Sequence, residues 1–393
     1  MRSGAWLSVP ALFGALVVIG CDSNETVAPV PSGSAASSGG SGGTGGSGGA
    51  GGSGGAGGSG CPAGSHPGAI DACEADLTGW VAGPELVRAR DHHVTFVDEV
   101  NAGTFLYAIG GASAAGAPLV SAERAPIAAD GSLGPFEAVE DLPIGLIGPG
   151  IAQVGHGVVI AGGLKSDGES TTDTWVGAVG DDGDLTYTAG PTLTASRYHL
   201  TLVAAKGYVF SIGGLEQNIV NGMPQQAVSD LVERASFDGT TLSSFQAVGA
   251  LPSTLTHHAA IAIGDAIYVI GGGAGAPGKT EILRSALSEA GDLGAWELVG
   301  ELPEGRATSS AAFFLDHLYV FGGMAMLTGD EQDTVLRAPV LADGAVGAFE
   351  ELLPLPKKRA HSHQTPLHAG VFYSVGGSIN HVPQKDVFLG QLQ

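Results

Sequence analysis

The chain has 393 residues, 66 of them glycine, with 16 Lys and Arg against 39 Asp and Glu and a formal net charge of −23. So few cations exclude a nucleic-acid partner, because a polyanion-binding surface needs clustered positive charge. What remains is an acidic, glycine-rich, β-branched protein, long enough for one large domain or two ordinary ones.

The first element is "MRSGAWLSVPALFGALVVIGC", with basic Arg2, an apolar run too short for a comfortable bilayer span, and a small residue before Cys21. Its ending, "VIGC", resembles the lipobox of bacterial lipoproteins. The resemblance implies a signal peptide over residues 1–21, lipidation of Cys21, and a place in the bacterial cell envelope. That place is periplasmic or cell-surface, with the outer membrane favoured. Residues 22–60 are dominated by Gly, Ser and Ala and bury no apolar surface to offset the entropy of ordering. They read as a tether with a reach of roughly 35 Å. Cys61 and Cys73 follow in "CPAGSHPGAIDAC", within a lead-in over residues 61–76. In an exported protein a disulfide between them is expected.

From residue 77 to 393 the chain repeats. Glycine pairs close the runs "LYAIGG", "VVIAGG", "YVFSIGG", "IYVIGG", "LYVFGG" and "FYSVGG", starting at Gly110, Gly162, Gly213, Gly271, Gly322 and Gly376, with separations of 52, 51, 58, 51 and 54 residues. A β-branched and aromatic run ending in Gly-Gly reads as a buried strand that stops where the backbone needs a positive φ. Each unit holds four strand-like pieces. Between the third and fourth lie "DG" hairpin signals at Asp130, Asp182, Asp238 and Asp343. The fourth piece carries an aromatic: Phe136, Tyr187, Phe245, Trp296 and Phe349, with one further copy, Trp80, ahead of the first unit.

Sheets of this size cannot bury both faces alone, but units packed around an axis can. The pattern resembles the kelch-type β-propeller: all-β, six blades, one per repeat. The last unit ends after three strands, so the orphan piece "LTGWVAGPEL" is predicted to supply its fourth and close the ring. A monomer is expected.

Aligning the junctions before each inner strand produces two columns. Arg90, Arg197, Arg306 and Arg359 share one, with Leu146 and Leu255 in the gaps; His92, His199, His257 and His361 share the other, with Gly148 and Thr308. In extended chain, residues two apart point to the same side. The expectation is therefore an Arg- and His-lined channel mouth that binds an envelope protein or a glycan without catalysis, gaining charge below about pH 6.5 as imidazoles protonate. Arg and His at this turn also serve kelch-like folds by bonding loop carbonyls, so a structural role stands beside the binding role. A second column, Arg124, Arg234, Arg284 and Arg337, is predicted to lie against neighbouring aromatics.

No metal or cofactor is expected. Zinc needs three or four ligands within about 2.1 Å of one point, and histidines spread around a ring work against convergence. Copper chemistry similar to that of galactose oxidase needs a Cys–Tyr cross-link, and no cysteine follows Cys73. The alternative function is a sugar-active enzyme similar to N-acetylneuraminate epimerase, which would act at the same mouth.

Overall fold

A computed structural model describes residues 66–67, 73–273, 278–325 and 328–393. The expectations for Cys21, the tether and Cys61 fall outside the described residues. Cys73 lies in a two-residue strand, Cys73–Glu74, paired with His66–Pro67.

The protein is all-β, a β-propeller, with no helix among the described residues. Six four-stranded antiparallel sheets follow the six sequence repeats. Sheet 1 runs Val94–Val100, Gly103–Ile109, Ala122–Ile127, Glu137–Val139, each strand pairing with the next. Sheets 2 to 5 keep that order. In sheet 6 the strands Leu367–His368, Val371–Val375 and Val387–Leu392 are completed by Leu77–Ala82, which pairs Trp80 with Gly390 and Ala82 with Phe388.

The second strand of each sheet is mostly apolar because both of its faces are buried. In Gly103–Ile109, Tyr107 and Ile109 pack with Ile151, Val158 and Ile160 of sheet 2. Leu106 and Ala108 pack instead with Tyr373 and Val375 of sheet 6. Three tyrosines of these strands also bond across to the Asp-Gly turn of the following sheet. Tyr107 donates to the Gly183 carbonyl at 2.7 Å, Tyr268 to Gly344 at 2.9 Å, and Tyr373 to Gly131 at 2.8 Å. The turns predicted as hairpins thus also join sheet to sheet, including sheet 6 to sheet 1.

The glycine pairs have a similar double role. Both residues of each pair have positive φ, as in Gly110 at 65° and Gly111 at 91°, and a Cβ on Gly111 would stand 2.3 Å from the Asp91 carbonyl. This backbone turns the second glycine N–H toward the next sheet. Gly111 donates to Leu146, Gly163 to Arg197, Gly214 to Leu255, Gly272 to Arg306, Gly323 to Arg359 and Gly377 to Arg90, at 2.7–3.0 Å. The series of six bonds returns to its start.

Candidate functional site

A second closed series lies two residues further along. His92, Gly148, His199, His257, Thr308 and His361 all take left-handed backbone, with φ between 51° and 60°. The N–H of each donates to the carbonyl of the one before it, from Gly148 to His92 at 2.9 Å around to His92 on His361 at 2.8 Å. Non-glycine side chains rarely adopt this conformation. It also breaks the alternation on which the sequence expectation rested: Arg and His two apart do not point to the same side here.

The arginines turn into the sheets. Arg90, Arg197, Arg306 and Arg359 are 0–3% exposed. Arg90 donates to the Gly110 carbonyl and Ser121 carbonyl, each at 2.8 Å, and pairs with Glu123 at 2.5 Å. Arg197 donates to the Gly213 carbonyl at 2.7 Å and pairs with Glu233. Arg306 reaches the Gly322 carbonyl at 3.0 Å and Thr334 at 2.8 Å; Arg359 pairs with Asp386 at 2.9 Å. Loop carbonyls engage Arg90, Arg197 and Arg306, with a threonine hydroxyl for Arg306 and a carboxylate for each of Arg90, Arg197 and Arg359, the structural role that stood beside the binding role. Burial pushes all four pKa values down, opposed in Arg90 and Arg197 by the paired glutamate. In the other Arg column, Arg124 lies 4.6 Å over Phe105 and Arg234 4.5 Å over Tyr208, as predicted.

The histidines turn to the axis and meet. Ring centres stand 4.9 Å apart for His92 and His199, 4.0 Å for His92 and His361, and 3.8 Å for His199 and His257. His363 joins them, 5.8 Å from His92 and 5.7 Å from His199. The expectation that a ring arrangement keeps these imidazoles apart is therefore corrected, because the left-handed turn brings side chains from four sheets to one place. His363 was missed; its only signal was the spacing in "HSH".

Hydrogen bonds fix two of the imidazoles. His92 Nδ1 stands 2.8 Å from Asp91 Oδ1, and a carboxylate only accepts, so Nδ1 carries the proton. His361 Nδ1 stands 3.0 Å from Ser378 Oγ, whose hydroxyl donates to Glu331 at 3.0 Å, so Nδ1 donates here too. Both Nε2 lone pairs are left for another partner. One ligand atom from each of Asp91, His92 and His361 lies within 4.8 Å of the other two. His199 Nδ1 and His363 Nε2 are buried without a hydrogen-bond partner.

Burial holds His199, His361 and His363 well below the usual imidazole pKa, and pushes His257 down to about 3, with the nearby imidazoles adding to it. These four stay neutral on mild acidification. The expected gain of positive charge below about pH 6.5 does not occur in them.

The loops after each Gly-Gly lie on this same face. The longest forms a two-stranded hairpin, Leu215–Val220 with Met223–Val228. Its base is tied down by Gln217, which donates to the Gly168 carbonyl at 2.7 Å and accepts from Tyr198 at 3.1 Å and Gln226 at 2.7 Å. Its tip exposes Val220 and Met223.

No protein-family model matches the chain, and no curated protein matches it in sequence. Among solved structures it is similar to that of YjhT, with a TM-score of 0.61 and 13% identity over 79% of this chain and 99% of that chain. At that identity the likeness is one of fold.

Proposed function

We propose that the protein is a lipid-anchored component of a bacterial cell envelope whose kelch-type propeller binds a hydroxyl-rich ligand, a glycan or a glycan-bearing protein, at the channel mouth. The observation that carries this is the meeting of five imidazoles, His92, His199, His257, His361 and His363, beneath the loops of that face. Neutral imidazoles offer one donor and one acceptor each, which suits hydroxyl groups better than anions. The inward-turned arginines argue for the same ligand class. The lipobox-like ending "VIGC" at Cys21 and the Gly- and Ser-rich stretch that follows it support an envelope location, the outer membrane being favoured.

The test uses the full chain in detergent on a glycan array. Selective retention of a glycan is expected, weakened about tenfold or more in His199→Ala and His257→Ala. Equal retention by the parent and both folded variants refutes the site. Intact-mass measurement checks the anchor: lipid on Cys21 in the parent, none in Cys21→Ala. The sugar-active reading has one observation in its favour, the Asp91–His92 pair at the mouth. Turnover of a bound sugar, lost in Asp91→Asn, would favour it over simple binding.

A further inference from the structure

The histidine column asks for a reason the fold does not supply. Glycine in sheet 2 and threonine in sheet 5 make the same left-handed turn and the same ring hydrogen bond as the four histidines. The backbone therefore does not require imidazole. A left-handed backbone disfavours a residue with a Cβ, and a buried ring nitrogen without a partner, such as His199 Nδ1, loses its solvation with nothing in return. Four sheets nevertheless place histidine there.

The hydrogen bonds around the cluster are those that prepare imidazole for a metal. In metal sites the ring nitrogen that does not bind the ion commonly donates to a carboxylate or another acceptor, which fixes the tautomer and aims the lone pair. His92 has Asp91 in that position, and His361 has Ser378, itself held by Glu331. Glu331 is 5% exposed and also accepts from the N–H of Asn380 at 2.6 Å, so the support behind His361 is fixed.

Distances agree with this reading. A ring bound through nitrogen at about 2.0–2.1 Å has its centre about 3.2 Å from the ion, so two such rings stand about 5 Å apart. His92 lies 4.9 Å from His199, close to that value, and 4.0 Å from His361, so that pair must open by about 1 Å for both Nε2 atoms to bind one ion.

We infer that the Nε2 atoms of His92 and His361, with Asp91 and Ser378 holding their Nδ1–H groups, form the centre of a site for a divalent transition-metal ion of the zinc type, and that His199, His257 and His363 line it and complete its ligands. Imidazole nitrogens suit such an ion, and a third imidazole from that lining leaves a position open toward the mouth. An ion there presents a Lewis acid to a sugar hydroxyl, so the inference deepens the binding reading and rests on it for that last step alone.

The experiment titrates Zn2+, and Co2+ as a coloured substitute, into the chelator-stripped full chain without any glycan. One ion per chain is expected, with a visible Co2+ spectrum of low coordination number and a higher melting temperature with Zn2+. His92→Gln and His361→Gln should each weaken binding at least 100-fold, and Asp91→Asn about 10–100-fold. His156→Gln, at an exposed histidine paired with Asp98, should bind as the parent does. Absence of saturable one-to-one binding by the folded parent overturns the inference, as does unchanged affinity in both folded His variants. If a variant fails to fold, the parent's own stoichiometry, spectrum and melting shift decide. Glycan retention without metal binding would sink the metal site and leave the binding reading standing; metal binding without glycan retention would do the reverse.

Discussion

His258 should make the propeller acid-labile by a predictable amount. It is 2% exposed, its Nε2 stands 2.8 Å from Thr201 Oγ1 of the neighbouring sheet, and its Nδ1 has no partner. Burial, helped by the charge of Arg197, pushes its pKa down to about 3. In the unfolded chain the value returns to about 6.5. Between those two values the unfolded chain binds a proton that the folded one refuses, so stability is full above pH 6.5 and falls as the pH drops toward 3. At pH 5.0 the 1.5 units below 6.5 correspond to about 2 kcal/mol, at about 1.4 kcal/mol per unit. His258→Gln keeps a polar group near Thr201 and removes the titration. Urea unfolding of parent and variant at pH 7.5 and 5.0, with chelator present, isolates the effect, because the packing cost of the substitution cancels between the two pH values. The stability gap should move by about 2 kcal/mol in the variant's favour on acidification. A gap that stays constant within a few tenths of a kcal/mol would refute the reasoning.

Two further predictions concern the frame. Arg197→Leu leaves Glu233 buried and unpaired and should cost about 3–5 kcal/mol, whereas Arg197→Leu with Glu233→Leu copies Leu255 and Leu283, which share one apolar cluster in sheet 4, and should recover most of that loss in urea unfolding. Deleting residues 77–82 removes the outer strand of sheet 6, the Trp80 edge contact with Phe321 at 6.5 Å and its hydrogen bond to the Leu353 carbonyl; a loss of at least about 5 kcal/mol is expected, and an unchanged calorimetric transition would refute the role of that strand.

Much of the frame was legible because its determinants are local. A β-branched run ending in Gly-Gly specifies a strand and a turn together, and the positive φ values of Gly110 and Gly111 follow from glycine chemistry alone. The strand containing Trp80 could be placed because one repeat lacked a piece and the chain held one too many. The site was legible only as two columns. Which way a column points depends on φ at one residue, and His92, His199, His257 and His361 take a left-handed backbone that non-glycine residues adopt uncommonly, histidine more often than most. Nothing in the local sequence announced that the turn was left-handed except Gly148 in the same column. Asp91, Ser378 and Glu331 escaped notice because their roles come from hydrogen bonds across 1, 17 and 47 residues of sequence.

The two columns differ in how far the fold accounts for them. Leu146 and Leu255 accept the same backbone bond from the preceding glycine pair as the four arginines do, so the frame does not require Arg. Where arginine is present, its own sheet supplies acceptors: Glu123 for Arg90, Glu233 for Arg197, Thr334 for Arg306 and Asp386 for Arg359. Side chain and partner are matched, and the column is accounted for within each sheet. Gly148 and Thr308 likewise show that the inner ring of backbone bonds does not require histidine. Here each sheet supplies at most one partner per imidazole: Asp91 for His92, Thr256 for His257 and Ser378 for His361. Otherwise their nearest neighbours are the imidazoles of other sheets, with ring centres 3.8–4.9 Å apart, and His199 Nδ1 and His363 Nε2 are buried without a hydrogen-bond partner. A donor or a metal ion from outside the chain is the partner we propose for the nitrogens that remain.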